Sequence, residues 1–300
     1  MNAEIETRYH RAITELGIRK RWYQADTDLY YAAVVGAVDD IENGEILARA
    51  KRLDGALPPT HDLHLIKQTL AAITASRDLD VPTFVANVDA VTESLREAVR
   101  SKRLRRLAAA VVVAANGGGF EVVADRVATL YEAWNDRHGM LTSALDLTLA
   151  AITDAVGLDP ATALDRAEVA DRNLMEAGYK SEWNVARILA LHGSAEATER
   201  FLRLAGELRG RRRKPLTDRR HLIAIASLAD HGPQELVDVM SHRFEAVRGG
   251  RFRPDHKTRL TLAALMTLGA VAPESRLGPA FHGFVMRDHY VSSYAEATSG

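Results

Sequence analysis

The stretch HGMLTSALDLTLAAITDA, from His138 to Ala155, gathers an imidazole, hydroxyls and carboxylates around a glycine. If the chain folds back at Gly139, His138 and Asp146 can form an acid–base pair, with the imidazole moving a proton and the carboxylate orienting it. The same residues have a plainer reading. His138 ends one helix, where an imidazolium complements the dipole, and Ser143 opens the next, with Asp146 three residues on completing a capping box. In that reading the Ser143 hydroxyl accepts from an orphan amide.

A second group is HDLH, where His61 and His64 flank Asp62 and Leu63. Two histidines spaced i, i+3 on a helix can face one metal ion. No third ligand lies nearby in sequence, and capping or surface histidines fit the spacing equally. DDIENG at 39–44 has the acidic pattern of a magnesium-diphosphate site but no second copy. The basic runs REAVRSKRLRR (96–106) and RGRRRK (209–214) could hold phosphates, and their alternative is a solvated helix face and an exposed loop. GGG at 117–119 lacks the Lys-Ser/Thr of a phosphate loop and reads as a turn. The chain has no cysteine, which removes thiolate ligands and a thiol nucleophile. No motif implies a cofactor.

The elements that carry these residues are helices. Leu145, Leu149, Ile152 and Val156 recur at helical spacing and define a core face. A partner helix starts near Pro160 and stops at Gly178; Gly193, Gly210, Gly232 and Gly249 read as similar stops. VVV at 111–113 sits inside an alanine-rich helical run, and Trp22, Trp134 and Trp183 fall in helical segments as core residues. A frame of an apolar residue, two turn or cap residues, two free positions, a polar residue and leucine fits LPPTHDLHL from Leu57, LTSALDLTL from Leu141 and LTDRRHLIA from Leu216. It fits more loosely from Tyr23, Val99, Tyr179 and Phe252. Seven copies at this spacing predict one helical hairpin per unit. Asp28, Asp62 and Asp146 then recur at the start of a helix, and recurrence favours structure over catalysis.

YEAWNDRHGMLTSALDLTLAAI, LMEAGYKSEWNVARILALHG and LTDRRHLIAIASLAD carry a resemblance to a known family. The sequence resembles the bacterial family called domain of unknown function 4003. Its pattern is a helix ending in Lys-x-x-His, an apolar pair, Leu-Thr-Ser, an acidic pair and an apolar helix. Arg137 and His138 sit near the first part, Leu141, Thr142 and Ser143 match, and Asp146 takes one acidic position. Leu145 occupies the other, which weakens a paired-carboxylate mechanism. The resemblance implies a shared fold and no activity.

Composition agrees with helices. The chain is 47% hydrophobic and 26% charged, with few aromatics, which suits a helical protein with an ample core. A formal charge of −1 gives no overall field towards nucleic acid or anionic lipid. No apolar run approaches the roughly 18 residues of a spanning helix, and the polar start lacks a signal segment, so a cytoplasmic setting is expected. The expectation is therefore an all-α protein of antiparallel helical hairpins stacked as an α-solenoid-like array. One continuous domain over 1–300 is expected, with a less regular tail from about residue 273. Its expected role is to bind a peptide or protein partner in a concave groove. The alternatives are an enzyme or metal-dependent protein with a site at His138/Asp146 or His61/His64, and nucleic-acid binding through the basic runs.

Overall fold

The structure is a computed structural model that describes residues 3–17, 27–116, 118–139, 143, 145–193, 195–210, 220–247, 254–271 and 277–299. Among these residues there are fifteen α-helices, one 3-10 turn and no strand. The helices are α1 (Ala3–Glu15), α2 (Thr27–Asp39), α3 (Asn43–Ala56), α4 (Lys67–Ser76), α5 (Val81–Ser94), α6 (Lys102–Ala115), α7 (Phe120–His138) and α8 (Asp146–Ala155). They continue as α9 (Pro160–Glu176), α10 (Trp183–Ala190), α11 (Ala195–Gly210), α12 (Arg220–Ser227), α13 (Pro233–Ala246), α14 (His256–Gly269) and α15 (Gly278–Ser299). The 3-10 turn, Asp62–Ile66, leads directly into α4.

Local signals explain the boundaries. Asp80, Asp159 and Asp255 each accept a hydrogen bond from the amide three residues on and so cap α5, α9 and α14. Pro82 and Pro160 sit in first turns, where a missing amide costs nothing. Gly178 and Gly193 follow α9 and α10 at φ +85° and +79°, the left-handed geometry expected of them. Gly232 differs: at φ −57° it is the N-cap of α13, so it begins a helix rather than ending one.

Each even-numbered helix from α2 to α14 packs on the odd-numbered helix before it, and the repeat frames lead into these even-numbered helices. Six pairs, from α3/α4 to α13/α14, run antiparallel, as shown by contacts such as Asp54 with Lys67 and Arg126 with Asp154. In the first pair α1 crosses the C-terminal end of α2, where Arg8 meets Asp40 and Glu15 meets Asn43. The even-numbered helices form an inner wall, and the array returns on itself: α14 packs against α2. In the outer layer His242 of α13 lies 2.9 Å from Glu6 of α1.

The centre of this ring is filled by α15, which touches α2, α4, α6, α8, α14 and the 3-10 turn. Contacts of His282 with Asp39 and of His289 with Thr69 set its direction, opposite to that of α2 and α4. The expectation of a less regular tail from about residue 273 is thus corrected by a helix over Gly278–Ser299. It escaped notice because every described position from Phe281 to Tyr290 is buried, so no single apolar stripe marks it. The same cause corrects the one-faced reading of α8: all eight positions from Asp146 to Thr153 are buried, between α7 on one side and α15 on the other. One apolar core runs continuously from Ile5 to Tyr290.

Candidate functional site

At one end of the ring the N-termini of α2 and α4 meet α15 around His289. Asp28, in the first turn of α2, accepts hydrogen bonds from the Gln68 amide at 2.7 Å, the Thr69 amide at 2.9 Å and the Thr69 hydroxyl at 2.8 Å. It therefore caps α4 from a neighbouring helix. Burial pushes its carboxyl up to about 6, against the opposing effect of these bonds and of Lys67. The Thr69 hydroxyl also lies 2.9 Å from Nδ1 of His289, whose ring stacks on Tyr31 at 4.5 Å. Because that hydroxyl donates to Asp28, Nδ1 of His289 carries the proton and donates to Thr69. Burial holds His289 down at about 3, so the ring is neutral at physiological pH. Its Nε2, and Oδ2 of the adjacent Asp288, are buried without a hydrogen-bond partner.

On the other side of the same end, the residues singled out at 138–155 converge with α10. Asp146 accepts from the Ser143 amide at 2.7 Å and forms an ion pair with Arg187 at 3.0 Å; both charged side chains are almost wholly buried. The Arg187 guanidinium lies over the Trp134 ring at 4.6 Å and near Trp183 at 5.8 Å. His138 stacks on Trp183 at 3.6 Å, and burial followed by the charge of Arg187 lowers its pKa. The structure thus engages Asp146 with Ser143 and Arg187, and His138 with Trp183. It corrects two expectations. The Ser143 hydroxyl donates to Asp146 at 3.3 Å instead of accepting from an amide, so Asp146 is the capping acceptor. His138 is held towards its neutral form beside a cation, so it does not serve as an imidazolium on the α7 dipole.

His61 and His64 turn to different acids. His61 is the N-cap of the 3-10 turn, accepting from the Leu63 amide through Nδ1, with Nε2 at 3.6 Å from Asp89. His64 lies 3.3 Å from Asp54. Among the described residues no group of three His, Asp or Glu side chains is placed to hold a metal. Within DDIENG, Asp39 pairs with His282 at 2.7 Å and Asp40 with Arg8 at 3.0 Å.

The basic run at 96–106 is divided: Arg96, Arg100 and Lys102 are exposed, and the other three cations are engaged within the fold. Arg103 and Arg106 both meet Asp62 at 2.9 Å, and buried Arg105 donates to the Val99 carbonyl at 2.8 Å. Residues 211–214 of the other basic run lie outside the described residues, as do Trp22, Leu141, Thr142 and Gly249. Among the described residues no single helix is long and apolar enough to cross a membrane.

The outer surface offers a second arrangement that sequence reading missed. A groove of about 190 Å³ runs between α9 and the α10–α11 turn, lined by Val169, Ala170, Leu189, Ala190 and Ala195, with Arg166 at one side. On the other flank of α9 a shallower concavity is bordered by Met175, Asp171 and Trp183. The only hint in the sequence is that Val169 and Met175 lie on a helix whose core positions, Ala163, Ala167, Ala170 and Leu174, are already accounted for. Comparison of the chain with protein-family models, with curated proteins and with solved structures finds no match.

Proposed function

We propose that this chain is a non-catalytic helical scaffold, set in the cytoplasm, that binds a peptide segment of a partner protein on the surface around α9. One observation carries this reading. Val169 and Met175 are two of the six large apolar side chains exposed among the described residues, and each borders a concavity flanking the same helix. Apolar side chains scattered singly are ordinary on a surface; apolar side chains beside pockets are what an anchoring side chain needs. The surface around α9 replaces the concave groove of the sequence reading because α15 occupies the ring centre. Membership of the family called domain of unknown function 4003 is part of the proposal and rests on the motifs quoted above.

The other readings have less support. Enzymatic work at Asp146 would compete with its buried pair to Arg187, and Asp28, whose pKa burial raises, is already engaged as the cap of α4. Phosphate binding by Arg103 and Arg106 would compete with Asp62, which leaves Arg96, Arg100 and Lys102 as the exposed cations of that run. The test is selection of a displayed random-peptide library on the full chain, with the doubly substituted Val169→Asp, Met175→Glu chain as counter-target. The expected result is a peptide set whose affinity for the substituted chain falls at least tenfold. Peptides that bind both chains equally, or no enrichment at all, would overturn the reading.

A further inference from the structure

We propose that the α9–α11 groove reads a peptide C-terminus, with Arg166 receiving the terminal carboxylate and the groove holding one apolar side chain. This deepens the peptide-binding reading above and rests on it. Arg166 lies in the second turn of α9, half-buried, and among the described residues it forms no ion pair. Its Nη1 is buried and has no hydrogen-bond partner. The guanidinium lies against Gly193, where any Cβ would overlap it, so the glycine provides both the left-handed turn and the space. A cation without an ion-pair partner among the described residues therefore borders an apolar groove, with Nη1 enclosed against Gly193 and the rest of the half-buried guanidinium left to meet an incoming group. A carboxylate is its natural acceptor, through a charge-assisted bond.

The rest of the lining narrows the occupant. At about 190 Å³ the groove is smaller than the roughly 300–1,000 Å³ of small-molecule sites, and it suits a single side chain. Val169, Ala170, Leu189, Ala190 and Ala195 make it largely apolar, with Asn173 and Thr198 the uncharged polar side chains of the lining. Asp165, exposed on the same edge, is the one acid in the lining; its charge offsets part of that of Arg166 and opposes a phosphate dianion more strongly than a single carboxylate. At a chain end the carboxylate and the last side chain hang on one Cα, so one residue can fill the groove and reach Arg166. An internal acidic residue on an extended segment points away from its apolar neighbours, because successive side chains alternate.

The experiment is an NMR titration of the full chain with Gly-Ser-Gly-Ser-Ala-Leu, as the free acid and as the C-terminal amide. The free acid should shift the amides of Ala190, Gly193 and Ala195, and the amidated peptide should bind at least tenfold more weakly. Arg166→Met should bring acid binding down to the level of the amide, while Val169→Asp should abolish it. If Arg166→Met fails to fold, the acid–amide comparison on the unaltered chain still decides. Equal binding of acid and amide would overturn the proposal while leaving the peptide-binding reading intact. The same holds if library peptides contact α9 and neither hexapeptide does. Failure of the library selection would overturn the reading itself.

Discussion

Asp146 and Arg187 each satisfy a charge that their surroundings would otherwise reject. Removing one partner from a buried pair leaves the other uncompensated, at a cost of about 3–5 kcal/mol. Asp146→Ala should therefore lower the unfolding free energy by about that amount, and Asp146→Leu with Arg187→Met should recover much of it; urea denaturation of the three chains checks both. Ser143→Ala should cost less than about 0.5 kcal/mol, because the stronger bond to Asp146 comes from the Ser143 amide, which alanine keeps. A loss above 1 kcal/mol would restore the hydroxyl as the cap. His289 gives a pH-dependent counterpart. Its folded pKa is lowered by burial, so the stability it supports is present above about 6.5 and is lost as pH falls towards about 3. Asp28 works in the opposite sense: its raised pKa, about 6, favours the folded state as pH falls from 6 towards 4. The His289→Gln chain lacks the first effect, so the stability gap between it and the unaltered chain should move by about 2 kcal/mol in its favour from pH 7 to pH 5. A gap that stays constant in denaturation curves at the two pH values would show that His289 does not titrate as described.

At the scale of elements, the packing of α15 decides which glycines matter. A Cβ at Gly283 would stand 2.5 Å from Ile152 Cγ1 and 3.3 Å from Val111 Cγ1, and one at Gly269 would stand 2.6 Å from Val38 and 3.0 Å from Phe281. Gly283→Ala and Gly269→Ala should each destabilise the protein by about 1–3 kcal/mol, despite the better helix propensity of alanine. Gly206→Ala, on the exposed side of α11 with nothing within 4 Å, should instead stabilise it by up to about 1 kcal/mol. Thermal melting of the three chains separates these signs. Element type and repeat spacing were legible in the sequence because caps and turn residues act locally: the frames from Tyr23 to Phe252 lead into the seven inner helices. The partners were not legible. Asp146 could be read as a helix-start acid, but nothing local announces that Arg187, about forty residues on, completes it. Arg166 gave no signal at all, since a cation on the polar side of a helix is unremarkable until its surroundings are known.

At the scale of the molecule, a ring differs from an open array. In an open stack each unit meets only its neighbours and stability is close to a sum along the chain. Here α14 packs on α2 and α15 touches five of the inner helices, so loss of one unit disturbs the rest. A chain ending at residue 271 should retain much of its helical circular dichroism, lose a single cooperative thermal transition and bind the dye ANS, which reports exposed apolar surface. A sharp melt like that of the intact chain would show that the ring holds without its central helix. The sequence could not reveal this closure, because contact between α2 and α14 depends on the sum of small rotations at every hairpin.

The central position of α15 also constrains the chain while it is being made. The segment that becomes α14 leaves the ribosome on the order of two hundred residues after α2, an interval of about ten to fifty seconds at 5–20 residues per second, and α15 follows it. Helices form in about a microsecond or less, so the inner wall can assemble long before its plug exists. For that interval the apolar side chains facing the future centre meet the crowded surroundings of the ribosome. The rate of translation, rather than that of helix formation, therefore sets how long the nascent chain is open to misassociation.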